Sequence, residues 1–180
     1  MVAAVVLAGG SGSRMESSTA KQYLELGGMP VVVHSLRAFQ QAEEVDGIVL
    51  VVRAEDMDYA RSALVEKYGL TKVSRLVPGG KERFDSVWQG IQASGTSGEG
   101  DIIMIHDGAR PFVTEEMIRA SIASASAHGA CTVAVPVKDT IKVVDRDGFG
   151  VDTPDRSTLY QIQTPQSFRR EVIREAANED

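Results

Sequence analysis

Residues 1–15 read MVAAVVLAGGSGSRM, and this stretch indicates the fold more strongly than any other part of the chain. Its first seven residues form a short apolar run rich in valine, which is typical of a buried strand. Glycines at positions 9, 10 and 12 follow, and glycine lets a backbone approach a ligand closely. A buried strand that ends in such a loop is typical of α/β proteins that bind anions. Arg14 and Lys21 add two positive charges, a combination that suits a polyphosphate.

The glycine pattern differs from two common phosphate-binding motifs. A Walker loop requires Gly-Lys-Ser/Thr after four spacer residues, whereas this chain has Gly12-Ser13-Arg14. A dinucleotide-binding fingerprint that begins at Gly10 requires glycine or alanine at position 15, where Met15 stands. A tight strand-to-helix turn explains the glycines alone equally well, and the two cations favour phosphate binding.

Composition sets bounds on the class of protein. A chain of 180 residues, 43% hydrophobic and 24% charged, predicts one folded domain, residues 1–180. The net charge of −6 argues against a general nucleic-acid binder, but it leaves room for a local cationic pocket. Cys131 is the single cysteine, so no internal disulfide is expected. The N-terminus lacks the basic residues of a signal peptide and no apolar stretch is long enough to span a membrane, so we expect a cytoplasmic protein.

Apolar runs alternate with helical patterns over the first 137 residues. Further strands are predicted at 48–52, 73–77, 101–105 and 131–137, and helices at 31–39, 54–68, 114–128 and from the turn near 80 through Ile91. This alternation predicts a three-layer α/β sandwich with a Rossmann-like, mostly parallel sheet.

Two later loops are also candidate binding elements. Gly79 and Gly80 precede a helix whose N-terminal N–H groups can bind an anion or a base edge, although an ordinary loop and cap is an alternative. Asp107 follows the fourth strand and could hold a ribose hydroxyl or a magnesium ion. A salt bridge between Asp107 and Arg110 is the alternative there. His106 is expected to position other groups rather than to act as a base.

The alternation of apolar runs with helical patterns stops at Lys138. Residues 139–144 alternate roughly, Asp145-Arg146-Asp147-Gly148 predicts a hairpin turn, and residues 149–160 form a second extended stretch. A two-stranded ribbon is marginally stable alone in water. We therefore expect a protruding β-arm, at about residues 138–162, that packs against a second copy in a homodimer.

Seven motifs occur together and in order along the chain. They are LAGGSGSRM from Leu7, Lys21-Gln22-Tyr23, Gly79-Gly80 with Arg83 and Ser86-Val87, His106 to Pro111, Asp139-Thr140, Asp155-Arg156-Ser157 and Gln163 to Gln166. Many nucleotidyltransferases, including molybdenum-cofactor guanylyltransferases, share the first motif, and the later motifs are more specific. With them the chain resembles the 2-C-methyl-D-erythritol 4-phosphate cytidylyltransferase family over almost its whole length.

The resemblance implies a role for each matched residue. Arg14 and Lys21 match the stabilisers of the transition state. The implied nucleotide-binding residues are Ala8, Gly9, Gly10 and Gly12 at the triphosphate, Gly80 and Ser86 at cytosine, and Asp107 and Gly108 at the ribose. The implied substrate-binding residues are Arg110, Thr140, Arg156 and Thr164, of which Arg156 lies on the arm that reaches the neighbouring subunit's site.

The resemblance also implies the reaction. The phosphate of the polyol substrate attacks the α-phosphorus of CTP and expels pyrophosphate, without a nucleophilic side chain. Magnesium is expected mainly on the triphosphate, with Asp107 as a further metal ligand. The chain departs from the family in having Ala20 where proline is usual. The family's next strand and helix, with a substrate-contacting lysine, do not follow Asp180, which predicts a fragment or a shortened protein with impaired activity.

Two other functions remain open at this point. A cytidylyltransferase for a pentitol phosphate, such as ribitol 5-phosphate, would share the first half of the motifs. A non-catalytic dimer that binds CTP would also fit a chain without the last segment.

Overall fold

The computed structural model describes residues 1–10 and 20–177. The strands in this part are β1 (Val2–Ala8), β2 (Glu25–Leu26), β3 (Met29–Pro30), β4 (Gly47–Val52), β5 (Val73–Pro78), β6 (Ile102–Asp107), β7 (Ala130–Pro136), β8 (Val143–Val144), β9 (Gly150–Asp152) and β10 (Tyr160–Arg169). The α-helices are α1 (Val31–Gln41), α2 (Met57–Tyr59), α3 (Arg83–Ala93), α4 (Glu115–His128) and α5 (Arg170–Ala177).

The helical segment predicted at 54–68 is helical over most of its length but irregular. A 3₁₀ turn at Ala54–Asp56 leads into α2, and Ala60–Glu66 then winds as a π-helix. The π-helical turn places Ala60 and Leu64 in the core, where both are fully buried. Among the helices of the described residues, none combines the length and the hydropathy needed to cross a bilayer.

The main sheet has the spatial order β5-β4-β1-β6-β10-β7. Strand β1 pairs in parallel with β4 on one side and with β6 on the other, and β5 continues in parallel beyond β4. Strand β10 alone runs antiparallel to its neighbours β6 and β7. The chain thus builds outward from β1 to β5 and then crosses back to β6, which puts the topological switch point between β1 and β6.

Helices cover both faces of this sheet. Leu36 and Phe39 of α1 and Ile118 of α4 pack on one face, against alternate residues of β1, β4 and β6. Val87 and Ile91 of α3 pack on the other face, where Ile173 of α5 also lies. The prediction of a three-layer α/β sandwich with a mostly parallel sheet is confirmed.

Strand β10 is the strand of the main sheet that was not predicted from the sequence. Its ten residues include Gln161, Gln163 and Gln166, so the segment lacks the apolar run that marks the other central strands. Pro165 has no N–H to donate to a ladder, and the pairing with β7 shifts register between Ile162 and Gln166, where such a residue is tolerated. The structure thus assigns residues 160–162, predicted as the end of the arm, to the main sheet.

The hairpin predicted near residue 146 is present. Strands β8 and β9 pair antiparallel, and the Asp145 carboxylate accepts hydrogen bonds from the N–H groups of Asp147 and Phe149. Gly148 has a φ of +89°, as the turn requires. Several apolar side chains of this segment are exposed in the single chain, namely Ile141, Val143, Val144, Phe149 and Val151.

Candidate active site

A cleft of about 480 Å³ lies where β1, β5 and β6 end. Its position beside the switch point is the usual place for a ligand in an open α/β sheet. Residues from three loops line it: Leu7, Gly9, Gly10, Gln22, Gly80, Lys81, Glu82, Arg83, Ser86, Asp107 and Ala109. The three loops that the sequence analysis selected therefore meet in one cavity.

A buried glutamine holds the start of the first loop. The Nε2 group of Gln22 donates to the carbonyl oxygens of Ala8 at 2.7 Å and Gly10 at 3.0 Å. Both amide hydrogens are used on carbonyl groups, and the side chain is only 4% exposed. Gln22 therefore fixes the loop immediately beside Lys21, which begins a short 3₁₀ turn. Gly12 and Arg14 lie outside the described residues.

Gln22 is not among the site residues predicted from the sequence. The sequence offers one indication of a role, since Gln22 directly follows Lys21 in the motif Lys21-Gln22-Tyr23. Nothing in that motif predicts a buried side chain. What determines its burial is contact with carbonyl groups 12 and 14 residues earlier, which no local pattern indicates.

The second glycine turn is stabilised by side-chain hydrogen bonds at the start of α3. The N–H of Gly80 donates to the Ser86 Oγ at 3.1 Å, and Glu82 and Asp85 form a capping box. A Cβ at Gly80 would lie 2.1 Å from the Cβ of Asp85, so only glycine fits here. Gly80 and Ser86, both predicted to contact the base, are thus direct neighbours.

Asp107 lies between two arginines at the mouth of the cleft. Its Oδ1 contacts the Arg83 guanidinium at 3.0 Å, and its Oδ2 contacts Arg110 Nε at 3.4 Å. The loop salt bridge considered as the alternative is therefore present, together with a second one from α3. Gly108 follows, and its N–H donates to the Leu7 carbonyl at 2.8 Å. This bond ties the loop after β6 to the end of β1.

His106 lies fully buried behind this loop, at the end of β6. Its Nε2 is 3.1 Å from the Arg110 carbonyl oxygen, and its Nδ1 is 3.0 Å from the Thr164 Oγ1. Its ring packs edge-on against Phe39, with centroids 5.2 Å apart. Burial lowers the pKa of His106 to about 4, chiefly because the charged ring would lose its hydration.

The predicted substrate-side residues fall into two groups. Arg110 and Thr164 line a second, more apolar cavity of about 540 Å³ on the other side of the 107–110 loop, beside Phe112 and Val135. Thr140 and Arg156 lie on the arm and are absent from the described lining of both cavities. Within this chain the Arg156 guanidinium donates to the Lys138 carbonyl at 2.8 Å.

Comparison with known proteins gives one consistent result. A family model described as 2-C-methyl-D-erythritol 4-phosphate cytidylyltransferase matches residues 2–180. Proteins of that name from Lachnospira eligens and Geobacter metallireducens are each 48% identical over 176 residues. The matches cover 98% and 97% of this chain, and 76% and 75% of those two relatives.

A solved structure agrees with the sequence matches. The 4-diphosphocytidyl-2C-methyl-D-erythritol synthase of Anaerococcus prevotii superposes with a TM-score of 0.85 at 32% identity, over 99% of this chain and 74% of that one. The fold and its cleft define an α/β nucleotidyltransferase. Within that class, the chain belongs to the 2-C-methyl-D-erythritol 4-phosphate cytidylyltransferase family.

The role of Gln22 predicts a specific loss of nucleotide binding. Gln22→Glu replaces the amide donor by a carboxylate that faces two carbonyl oxygens, so the first loop loses its anchor. Leaving buried acceptors unpaired costs about 1–3 kcal/mol, so we expect the Kd for CTP to rise roughly tenfold or more. Isothermal titration with CTP measures this change. Gln40→Glu, on α1 and away from the cleft, is the matched control, and an unchanged Kd in Gln22→Glu would contradict the role.

The lowered pKa of His106 predicts a pH dependence of stability. Because the unfolded chain binds a proton near pH 6.5 and the folded chain only near pH 4, the free energy of unfolding falls as the pH decreases through this window. Titration of His106 should lower the free energy of unfolding by about 2 kcal/mol at pH 5 relative to pH 7. Urea unfolding at both pH values measures it. His106→Gln should remove this part of the slope and His34→Gln should keep it, and an unchanged slope in His106→Gln would show that His106 is not its source.

Proposed function

We propose that the chain transfers the cytidylyl group of CTP to 2-C-methyl-D-erythritol 4-phosphate, giving 4-diphosphocytidyl-2-C-methyl-D-erythritol and pyrophosphate. The observation that carries the proposal is the convergence of three predicted binding loops on one cleft beside the switch point. The volume of that cleft is typical of a site for a small molecule. Membership of the family supports the same reaction.

The proposed nucleotide site uses mainly backbone groups. The triphosphate binds along Ala8, Gly9, Gly10 and Gly12, where N–H groups can face phosphate oxygens. The base binds at Gly80 and Ser86, and Asp107 with Gly108 holds the ribose. The Asp107 carboxylate suits a ribose hydroxyl because each of its oxygens is already oriented by an arginine.

The proposed polyol phosphate site lies beside the 107–110 loop. Arg110 and Thr164 contribute from the same chain, and Thr140 and Arg156 from the arm of a partner. The position of Arg110, which contacts Asp107 on one side and Gln163 on the other, supports a role between the two substrates. Arg156 can bind a phosphate through two parallel N–H groups.

The proposed reaction needs no nucleophilic side chain. An oxygen of the polyol phosphate, which carries a negative charge at neutral pH, forms a bond to the α-phosphorus of CTP. The bond from that phosphorus to the bridging oxygen breaks, and pyrophosphate leaves with the electron pair. Arg14 and Lys21 stabilise the charge that develops on the α-phosphate oxygens, so catalysis rests on position and charge.

A magnesium ion fits this scheme as part of the nucleotide substrate. Among the described residues, no group of three or more acidic, histidine or cysteine side chains could hold a metal. Both oxygens of the Asp107 carboxylate contact guanidinium groups. We therefore propose that Mg²⁺ enters bound to the triphosphate, and we assign Asp107 to the ribose rather than to the metal.

We also propose that the protein acts as a homodimer. The exposed apolar residues of the arm, which include Phe149 at 72% and Val151 at 61% exposure, form a surface that a second copy would cover. Tyr160 and Ile162 extend the apolar surface to the edge of the main sheet. In a two-fold dimer, each arm would lie against the neighbouring subunit. This arrangement would bury the apolar residues of the arm together with Tyr160 and Ile162.

Two other functions are less well supported. Transfer to ribitol 5-phosphate would use the same nucleotide loops, and the family match favours the methylerythritol substrate over it. A non-catalytic CTP-binding dimer would keep the cleft but would not need Lys21. Pyrophosphate release with each polyol phosphate separates the three functions.

The first test measures the proposed catalytic cations. With CTP, Mg²⁺ and 2-C-methyl-D-erythritol 4-phosphate, Lys21→Ala and Arg14→Ala should each lower kcat by roughly 10²–10³, because their charges act mainly in the transition state. The Kd for CTP should change much less. Lys67→Ala, which removes a lysine beside Tyr68 away from the cleft, is the control. Near-normal turnover in Lys21→Ala would contradict its role, and release with ribitol 5-phosphate alone would support the alternative substrate.

The second test concerns the shared site. Mixing inactive Arg156→Ala with inactive Lys21→Ala under exchange conditions should restore activity, because each mixed dimer then has one site with both residues intact. Mixing Lys21→Ala with Arg14→Ala is the matched control. Those two residues belong to the same subunit's site, so no intact site forms. Absence of recovery in the first mixture, despite verified subunit exchange, would exclude a site shared through Arg156.

A further inference from the structure

His106 and Thr164 form a buried polar pair at the second cavity, whose lining includes both residues. The residues are 58 positions apart in sequence, and each is at least nine-tenths buried. The pair links the end of β6 to the bulged part of β10. Thr164 Oγ1 also lies 3.3 Å from the backbone nitrogen of Asp107, so this one hydroxyl contacts both the His106 ring and the Asp107 backbone.

Each hydrogen bond of this cluster has only one possible direction. The Arg110 carbonyl can only accept, so His106 Nε2 carries a hydrogen and donates to it. Burial keeps His106 neutral at pH 7, so Nδ1 has no hydrogen and accepts. The Thr164 hydroxyl must therefore donate to Nδ1. The Asp107 N–H in turn donates to the Thr164 oxygen.

We propose that His106 is a positioning residue for the transfer reaction: it orients the Thr164 hydroxyl and, with Thr164, anchors both ends of the 107–110 loop. This inference rests on the proposed function of that loop. The hydrogen bonds run in one direction, from the Asp107 N–H through the Thr164 hydroxyl and the His106 ring to the Arg110 carbonyl.

The anchored loop carries two of the proposed binding side chains. Asp107 faces the nucleotide cleft and Arg110 lines the second cavity. The same Arg110 carbonyl accepts a hydrogen bond from the Ser35 Oγ at 3.0 Å, which adds a third anchor from α1. The distance between the two substrates thus depends on a loop whose first N–H and last carbonyl are both held by this cluster.

The direction of the bonds also sets what Thr164 can offer to a substrate. Its single hydroxyl hydrogen is used on His106, and one of its two lone pairs accepts from Asp107. One lone pair remains. Thr164 can therefore accept a hydrogen bond from a hydroxyl of the polyol, but it has no hydrogen to donate to a phosphate oxygen. This assigns Thr164 to recognition of the polyol chain rather than of its phosphate.

The first experiment measures the tautomer directly. Two-dimensional ¹H–¹⁵N spectra of the histidine rings of the wild-type protein at pH 7 separate the neutral tautomers from the charged ring. We expect the His106 ring to be neutral, with hydrogen on Nε2 and none on Nδ1. Hydrogen on Nδ1 would overturn the proposal, because Thr164 would then accept from the ring and keep its own hydrogen free. Absence of hydrogen from Nε2 would overturn it as well, because the ring could not donate to the Arg110 carbonyl.

The second experiment is a double-mutant cycle on kcat/KM for the polyol phosphate. His106→Gln and Thr164→Val should each lower it by on the order of 10²-fold, since small displacements of substrate-positioning groups have effects of this size. The double variant should lose about as much as Thr164→Val alone, because the hydroxyl that His106 orients is already absent in that variant. Thr164→Ser, which keeps the hydroxyl, should retain activity within about threefold.

Matched controls separate positioning from loss of folding. His34→Gln removes another histidine that lies 2.9 Å from a backbone carbonyl, that of Leu26, but stands away from both cavities. All variants are assayed at a temperature at which circular dichroism shows them folded. Additive losses, or variants that lose stability with unchanged kcat/KM, would overturn the proposal. Wild-type protein that releases no pyrophosphate would instead refute the proposed function, while the tautomer measurement would still test the orientation of Thr164.

Discussion

The pairing of β1 on both of its edges is the constraint on which the rest of the structure depends. Six residues of β1 are in register with β4, and six with β6, in parallel on both sides. Leu7 is level with Val51 on one side and Asp107 on the other. The loops that follow β1 and β6 therefore begin at the same level, side by side. The position of the cleft follows from backbone hydrogen bonds before any side chain of the site is considered.

The loops around this cleft are held mainly by side chains that bind backbone groups. Gln22 holds two carbonyl groups of the first loop, Ser86 holds the N–H of Gly80, and Thr164 holds the N–H of Asp107. Each of these bonds satisfies a backbone group that regular secondary structure leaves unpaired at the end of a strand. In the described parts of these loops, such bonds hold the backbone at the rim of the cleft without regular secondary structure.

Features that depend on residues close together in the sequence could be predicted, whereas features that depend on contacts between distant residues could not. The strands β1, β4 and β6 are continuous apolar runs, and their alternation with helices predicted the layers and the mostly parallel sheet. The three loops that line the cleft were selected from the sequence because glycine and charge patterns follow those strands directly. Strand β10 was missed because its residues are polar and it is held by pairing with β6 and β7 rather than by its own pattern. The ion pair from Arg83 to Asp107 spans 24 residues and was likewise invisible in the sequence.

The insertion of β10 between β6 and β7 has a consequence for the order of events during synthesis. The ribosome completes β7 at Pro136 and β10 only at Arg169, so the two strands that β10 joins both leave the ribosome before it does. Until β10 is synthesised, the edges of β6 and β7 that pair with it have unpaired backbone N–H and C=O groups. Unpaired strand edges of this kind can pair with other chains. The arm is the segment made in that interval. The last strand of the described chain is therefore an interior strand of the sheet, next to the edge strand β7, and it enters between two strands that were made before it.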